Sequence, residues 1–304
     1  MLQTIGFVGL GMMGLPMLEN LASRLSATIL ACDADDAPFE TLKTHPAWGR
    51  TLRRAAIVDM ADCEAVITML PNSRITNAVM LGGEGAKGLI DVLAPGAVLI
   101  DMGSSNPPDT QNLAQACAAR GLRLVDAPVS GAVVKARNGT LAIMAGGEAA
   151  DVARVRPLLE TMGATLIATG AVGSAHAIKA LNNYVYAAGL MAVCEALAIA
   201  QRMSLDPQVL TEVLNASSGR NVASETKLAQ FIIPETYAGG FALGLMSKDL
   251  DTASGLQAHA GVNAPQLSLC ARRWREARET LPAGADNTEI FRLVRDGALA
   301  GRNA

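Results

Sequence analysis

The sequence predicts a two-part α/β protein: an N-terminal doubly wound parallel sheet over residues 1–164, then an all-α domain over 165–304, joined by a long helix. Three observations predict it. Short apolar runs alternate with helical stretches in the first half, as strands covered on both faces by crossover helices require. A glycine cluster, "GFVGLGMMGLPM" (6–17), directly follows the first of those runs. From Gly173 to about Met203 the chain holds no proline and is rich in Ala, Leu and Met, and no strand signal recurs after it.

Taken in order, "QTIGFVG" (3–9) reads as a strand, "MMGLPMLENLASR" (12–24) as a helix and "ATILACD" (27–33) as a second strand. Together they have the dimensions of a βαβ unit, about thirty residues. "EAVITMLP" (64–71), "GAVLIDM" (96–102) and "LRLVDAP" (122–128) continue the strand pattern, with a helical stretch over 107–120. The texture changes after "TLIATG" (165–170). The segment 173–203 would form a helix of roughly 45 Å at 1.5 Å per residue. Further helices are expected over 206–216, 222–232, 245–260 and 263–281, with breaks near "GFALG" and "PAGAD".

Composition narrows the function class. The 304 residues suit two domains, and they are 50% hydrophobic but only 3% aromatic, so the core is built from Ala, Val, Leu, Ile and Met. The net charge of −3 and the lack of a Lys/Arg block argue against a nucleic-acid partner. Five scattered cysteines without a C-x-x-C pair read as reduced thiols of a cytoplasmic protein, not as a disulfide framework or zinc site. Three histidines without ligand spacing point to no metal. No signal peptide is expected, since the N-terminus runs straight into the glycine cluster. The apolar stretch 184–200 carries Glu195 and reads as a buried helix, so no membrane span is expected.

The glycine cluster is the first candidate site. Gly9, Gly11 and Gly14 give G-x-G-x-x-G, preceded by a strand and followed by a helix. In that context the first glycine permits a tight turn, the second lets backbone approach a pyrophosphate, and the third lets helix pack on strand. The loop Gly9, Leu10, Gly11, Met12, Met13 and Gly14 is therefore the expected dinucleotide cradle, with phosphates at a helix N-terminus. Asp33 lies 19 residues after Gly14, at the end of the next strand. A carboxylate there accepts from the ribose hydroxyls of NAD and repels the 2′-phosphate of NADP. No arginine follows immediately, so NAD is expected in preference to NADP. A plain glycine-rich turn and a solvated aspartate are the bland alternatives.

Three later stretches are candidates for substrate chemistry. "DAPVSGAVVKARNGTLAIMAGG" (126–147) places Ser130 and Gly131 just past a strand end, where open α/β sheets bind ligands. "GSAHAIKALNN" (173–183) places Lys179 and Asn183 at i and i+4 on one helix face. A lysine within an apolar helix needs a reason, and burial lowers its pKa from about 10.4 toward use as a proton carrier. "MSKDLDTA" (246–253) carries Lys248 and Asp249, whose blandest reading is a surface ion pair.

These motifs, with "MLPNS" (69–73) and "DMGSSNP" (101–107), occur together over nearly the whole chain, and the sequence resembles the β-hydroxyacid dehydrogenase family. That family includes 3-hydroxyisobutyrate dehydrogenases and tartronate semialdehyde reductases. The resemblance implies a Rossmann domain followed by a helical domain, a homodimer or homotetramer, and oxidation of a small 3-hydroxy acid or reduction of the matching semialdehyde. It implies that Lys179 is the catalytic lysine, that Asn183 helps hold the substrate, and that Ser130 and Gly131 grip its carboxylate. Met69, Leu70 and Pro71 would line the cofactor, Ser104 would lie near the nicotinamide, and Lys248 would close over the cofactor. The chain departs from the pattern at Ala132, where the family usually has a second glycine, at Gly103, a usual serine, and at Ala175, a common glycine. Ala132 stands where a third loop N–H would meet the substrate. Arg220 and Asn221 sit near where family members contact the far end of the substrate. A polar anchor there suits a short sugar acid such as threonate, while a surface helix cap is the plain alternative.

Rival readings are an imine reductase, which usually lacks lysine at this position, and 6-phosphogluconate dehydrogenase, which is longer and has His-Asn where this chain has Asn182-Asn183. A non-catalytic dinucleotide-binding relative would have lost Lys179, which is intact.

Overall fold

The computed structural model describes residues 2–83 and 85–300; residues 301–304, the end of the expected second domain, lie outside the described residues. The strands are β1 (Thr4–Val8), β2 (Thr28–Cys32), β3 (Leu52–Arg54), β4 (Ala65–Thr68), β5 (Gly82–Gly83), β6 (Ala86–Lys87), β7 (Val98–Asp101), β8 (Arg123–Asp126), β9 (Val129–Ser130), β10 (Leu141–Gly146) and β11 (Gly163–Gly170). The helices of the first half are α1 (Gly14–Arg24), α2 (Ala37–Leu42), α3 (Ser73–Leu81), α4 (Leu89–Val92), α5 (Pro107–Ala119), α6 (Ala132–Asn138) and α7 (Ala149–Leu159). A helix of 29 residues, α8 (Ser174–Arg202), follows, then α9 (Pro207–Ala216), α10 (Leu243–Ala260), α11 (Pro265–Thr280) and α12 (Ile290–Ala300).

The chain divides into two compact units, Met1–Lys179 and Ala180–Ala304. The first holds the main sheet, in the order β11-β10-β8-β7-β4-β1-β2-β3, with β9 paired to β10. Its central pairs β7–β4–β1–β2 are parallel, so the sheet is the doubly wound one the sequence predicts. The order in which strands are added reverses at β1, while β1 and β4 stay parallel: the chain winds outward through β2 and β3, then returns to the other side of β1. That switch point opens a crevice at the carboxyl ends of the strands.

Alternate residues feed two cores. Ile5, Phe7, Ile29, Ile67, Val98, Ile100 and Val125 pack on one face, and Val8, Leu30, Val66, Leu99 and Leu124 on the other. Period-2 side-chain alternation with both faces buried leaves no polar position in the strand middles, which is why β4 and β7 read as unbroken apolar runs.

The sheet extends further than the sequence suggests. β10 pairs in parallel with β11, so the expected domain boundary after residue 164 falls inside a strand of the first unit. β11 is an edge strand, mostly exposed, so it lacks the apolar signature of a central strand, whereas β10, Leu-Ala-Ile-Met-Ala-Gly, is apolar and mostly buried. The short edge strand β3, Leu-Arg-Arg, gives no signal for the same reason.

The second unit packs its helices around Trp274, Phe291, Ile290, Leu228, Leu250 and Leu197, all essentially buried. The segment expected as an α-helix over 222–232 winds instead as a π-helix over Ser224–Ile232. Helix α8 is long and apolar enough by length and composition to cross a membrane. It also carries the buried polar residues His176, Lys179 and Asn183, and sends Leu190, Cys194 and Leu197 into the core of the second unit.

Candidate active site

The glycine loop lies at the carboxyl end of β1. Gly9 has φ +98°, and a Cβ on it would sit 2.4 Å from the Met69 carbonyl oxygen. A Cβ on Gly14 would sit 1.9 Å from the Gly9 carbonyl oxygen, so helix α1 can approach the strand only with glycine there. Gly11 differs: a Cβ on it would meet no atom within 4 Å. Packing explains the first and third glycines but not the second, whose bare backbone faces open space beside the N-terminus of α1. That cradle fits a dinucleotide pyrophosphate, which accepts from the free N–H groups of a helix start. Leu10 is buried, so it offers the site backbone, whereas Met12 is largely exposed and Met13 precedes the first helical residue.

Asp33 directly follows β2 and faces this loop. One of its oxygens accepts from the Leu10 N–H, at 2.5 Å, and the other from the Asp35 N–H, at 2.8 Å. The two backbone bonds hold the carboxylate beside the glycine turn. Nearby, Arg54 at the end of β3 pairs with Asp36 at 2.6 Å and lies over the Phe39 ring.

The loops after β4 and β7 run side by side. Met69 and Leu70 are half-buried and Pro71 is exposed, ahead of Asn72, which caps α3 by accepting from the Ile75 N–H at 3.1 Å. A Cβ on Gly103 would sit 2.7 Å from the Leu70 carbonyl oxygen, so a serine here would require the two loops to move apart. Ser104, half-buried, lies between Gly103 and the buried Ser105. Ser105 donates to Asp101 Oδ2 at 2.6 Å, and the Gly103 N–H donates to Asp101 Oδ1 at 3.0 Å. Asp101 thus shapes the loop that carries Ser104.

Ser130 pairs through β9 with Ala142 and is half-buried. Gly131 has φ +141° and Ala132 φ +55°. Ala132 therefore sits in the left-handed region that glycine adopts freely and alanine only at a cost in strain. The loop keeps a glycine's conformation with a side chain in the glycine's place.

Lys179 lies in the second turn of α8 with 8% of its surface exposed, and Asn183, one turn further, with 5%. The Asn183 amide donates to Asp249 Oδ2 at 2.6 Å, and Asp249 Oδ1 pairs with Lys248 at 2.9 Å. The second unit thus links Asn183 and Lys248 through a nearly buried carboxylate, whereas Lys248–Asp249 read in sequence as a surface pair. Asn221 Oδ1 accepts from the Ala223 and Ser224 N–H groups, and Arg220 is exposed and paired with Glu225 at 2.7 Å. Those contacts make 220–221 a cap of the π-helical segment, the plainer of the two readings of that stretch.

Sequence reasoning quoted but gave no role to Asp101, Asp126 and His176, and passed over Thr110. Asp126 is wholly buried and accepts from the N–H groups of Gly173 and His176, at 2.8 and 2.9 Å, at the start of α8. Burial lifts its carboxyl above the ordinary value, against the lowering effect of His176 and these N–H groups. The available signal was an aspartate at the carboxyl end of two successive strands. Among the described residues no cluster of His, Cys, Asp or Glu could hold a metal ion.

Comparison with known proteins decides the family. Residues 4–171 match the NAD binding domain of 6-phosphogluconate dehydrogenase, and residues 173–294 the NAD-binding domain of NADP-dependent 3-hydroxyisobutyrate dehydrogenase. The chain is 34% identical over 289 residues to 2-(hydroxymethyl)glutarate dehydrogenase of Eubacterium barkeri, covering 94% of this chain and 87% of that one. The chain belongs to the β-hydroxyacid dehydrogenase family. As a β-hydroxyacid dehydrogenase it is an oxidoreductase built on a nicotinamide-dinucleotide fold. It is also 37% identical over 255 residues to 3-hydroxyisobutyrate dehydrogenase of Pseudomonas aeruginosa, covering 82% of this chain and 83% of that one. The Mycobacterium tuberculosis 3-hydroxyisobutyrate dehydrogenase, solved with L-serine, superposes with a TM-score of 0.86 at 29% identity, covering 97% and 100% of the two chains. An imine reductase from Myxococcus stipitatus, at 14% identity and TM-score 0.64 over 97% and 100%, shares the fold alone.

Proposed function

We propose that this protein oxidises a short 3-hydroxy acid, or reduces the matching semialdehyde, with NAD in preference to NADP. The observation that carries this reading is Lys179: an amine-bearing side chain almost wholly buried, held in the second turn of α8 behind the Asp126-capped helix start. A buried lysine in a dinucleotide-binding fold is best explained by proton transfer.

The cofactor supplies a hydride acceptor when bound. The chain's residues do the rest. The loop Gly9–Gly14 receives the pyrophosphate, Asp33 the adenosine ribose, and Met69, Leu70, Pro71 and Ser104 flank the nicotinamide end. Lys179 Nζ takes the hydroxyl proton as hydride leaves the neighbouring carbon, Asn183 orients that hydroxyl, and Ser130 with the Gly131 N–H holds the carboxylate. Asn183 is suited to this because Asp249 fixes its amide. Lys248, paired with the same Asp249, is assigned to the cofactor. Arg220, whose ion pair is exposed, is the one residue of 220–221 left to meet a polar substrate tail.

Exposed apolar residues along α8 and α9, among them Val185, Ile199, Val209 and Val213, support a homo-oligomer, and five free cysteines support a cytoplasmic setting.

The test is NADH formation at alkaline pH over 3-hydroxyisobutyrate, 3-hydroxypropionate, L-serine, glycerate, threonate and 2-(hydroxymethyl)glutarate, each with NAD⁺ and NADP⁺. Turnover of at least one with NAD⁺ is expected. A blank across the panel with intact NADH binding would overturn the assignment in favour of a non-catalytic dinucleotide-binding protein.

A further inference from the structure

Three residues before Lys179, His176 is buried to 1% exposure, and it lies between two buried carboxylates. Asp101 and Asp126 are register partners at the carboxyl ends of β7 and β8. The imidazole Nε2 lies 3.8 Å from Asp101 Oδ2, and Nδ1 lies 3.8 Å from Asp126 Oδ2. Nδ1 shares a hydrogen bond with Thr110 Oγ1 of α5 at 2.8 Å, while Nε2 has no partner at hydrogen-bond distance among the described residues. Room for this cluster is reserved: a Cβ on Gly146 would sit 2.6 Å from Asp126 Oδ1.

A buried polar cluster of this kind costs desolvation, and apolar packing would hold a helix as well. What the cluster does that apolar packing would not is connect two parts of one chemistry. Asp101 fixes Gly103 and Ser105, on either side of Ser104, and Asp126 fixes the first turn of α8. His176 stands between them, on the same side of α8 as Lys179, at i and i+3.

We infer that His176 is a positioning residue: together with Thr110, Asp101 and Asp126 it locks the Lys179-bearing turn of α8 to the Ser104 loop, and so sets where the Lys179 amine is presented. The inference rests on the reading of Lys179 as proton carrier, since misplacement of about 1 Å at such a group can cost about 100-fold in rate.

The test compares His176→Leu, His176→Asn and Thr110→Val with the wild-type chain. Two quantities are read: kcat and NADH Kd, and the pH profile of Lys179 acylation by acetic anhydride in the cofactor-free protein, followed by peptide mass spectrometry. His176→Leu lowers kcat by at least about tenfold with NADH Kd unchanged, and shifts the acylation midpoint of Lys179. His176→Asn, which keeps a polar atom near the Nδ1 position, restores much of both. Thr110→Val removes the 2.8 Å bond to His176, along with the Thr110 hydroxyl's donation to the Asn106 carbonyl at 3.1 Å within its own helix, and gives a smaller change of the same sign, which carries the test if His176→Leu fails to fold. An unchanged kcat and acylation profile in the folded variants would overturn the inference. So would a kcat loss matched by a rise in NADH Kd, or one with an unmoved acylation profile. If the wild-type chain turns over no hydroxy acid, the functional proposal is what fails, and the acylation profiles still decide whether His176 positions Lys179.

Discussion

Replacing Ala132 with glycine should stabilise the protein, the reverse of what alanine-to-glycine does at the start of an ordinary helix. Ala132 opens α6 at φ +55°, in the left-handed region. A non-glycine residue there costs about 1–2 kcal/mol. Glycine removes that strain but loses about 0.5–1 kcal/mol more than alanine through its unfolded-state freedom. The difference is a net gain of about 0.5 kcal/mol, or about 1–2 °C in Tm for a unit of this size. At an ordinary helical position the same change would lower Tm by about 2–4 °C, so the sign alone is diagnostic. Differential scanning calorimetry of the wild-type and Ala132→Gly proteins reads it directly. A Tm that falls by several degrees would refute the strained conformation, and with it the account of how the Ser130–Gly131 loop is shaped.

The remaining predictions concern the cofactor and the buried carboxylate. Gly11→Ala should fold with an unchanged melting temperature yet bind NADH more weakly by fluorescence titration, because its Cβ meets only the space assigned to the pyrophosphate. Gly14→Ala should be recovered poorly or melt early, because its Cβ would sit 1.9 Å from the Gly9 carbonyl oxygen. Asp33→Ser should raise the KM for NAD⁺ by about 10- to 100-fold, the worth of a charge-assisted hydrogen bond, and improve NADP⁺ relative to it. Adding Asp36→Ala, which frees Arg54, should improve NADP⁺ further in steady-state kinetics. Asp126→Asn should change how stability depends on pH. The folded carboxyl has a pKa raised above 3.8, so the native state binds this proton more tightly than the unfolded chain does. Its contribution therefore falls as pH rises from about 4 through the folded pKa. The stability difference between wild type and Asp126→Asn, from urea melts, should shrink over that range.

Much of this was legible in the sequence because the physics was local. The G-x-G-x-x-G turn, Asp33 directly after β2 and the central buried strands each carry their signal within about thirty residues. The same holds for Lys179 and Asn183, which one helical period places on one face. What was missed depends on contacts far apart in the chain. His176 meets Thr110 across 66 positions and Asp126 caps α8 across 47, and neither distance leaves a periodicity to read. The edge strands β3 and β11 lack the apolar run of a covered strand because solvent covers part of them. Lys248 and Asp249 do pair, as the blandest reading of that stretch has it, but the burial of Asp249 was not legible because Asn183, which occupies its other oxygen, lies 66 positions away.

The most direct test of the central claim is the Lys179→Met variant, which keeps the stem of the side chain and removes the amine. On whichever hydroxy acid the wild-type chain oxidises best, turnover should fall by about 10²–10⁴-fold, the usual worth of a positioned general base, while NADH Kd stays within about twofold. Turnover close to that of the wild type would contradict the account and remove Lys179 from the chemistry.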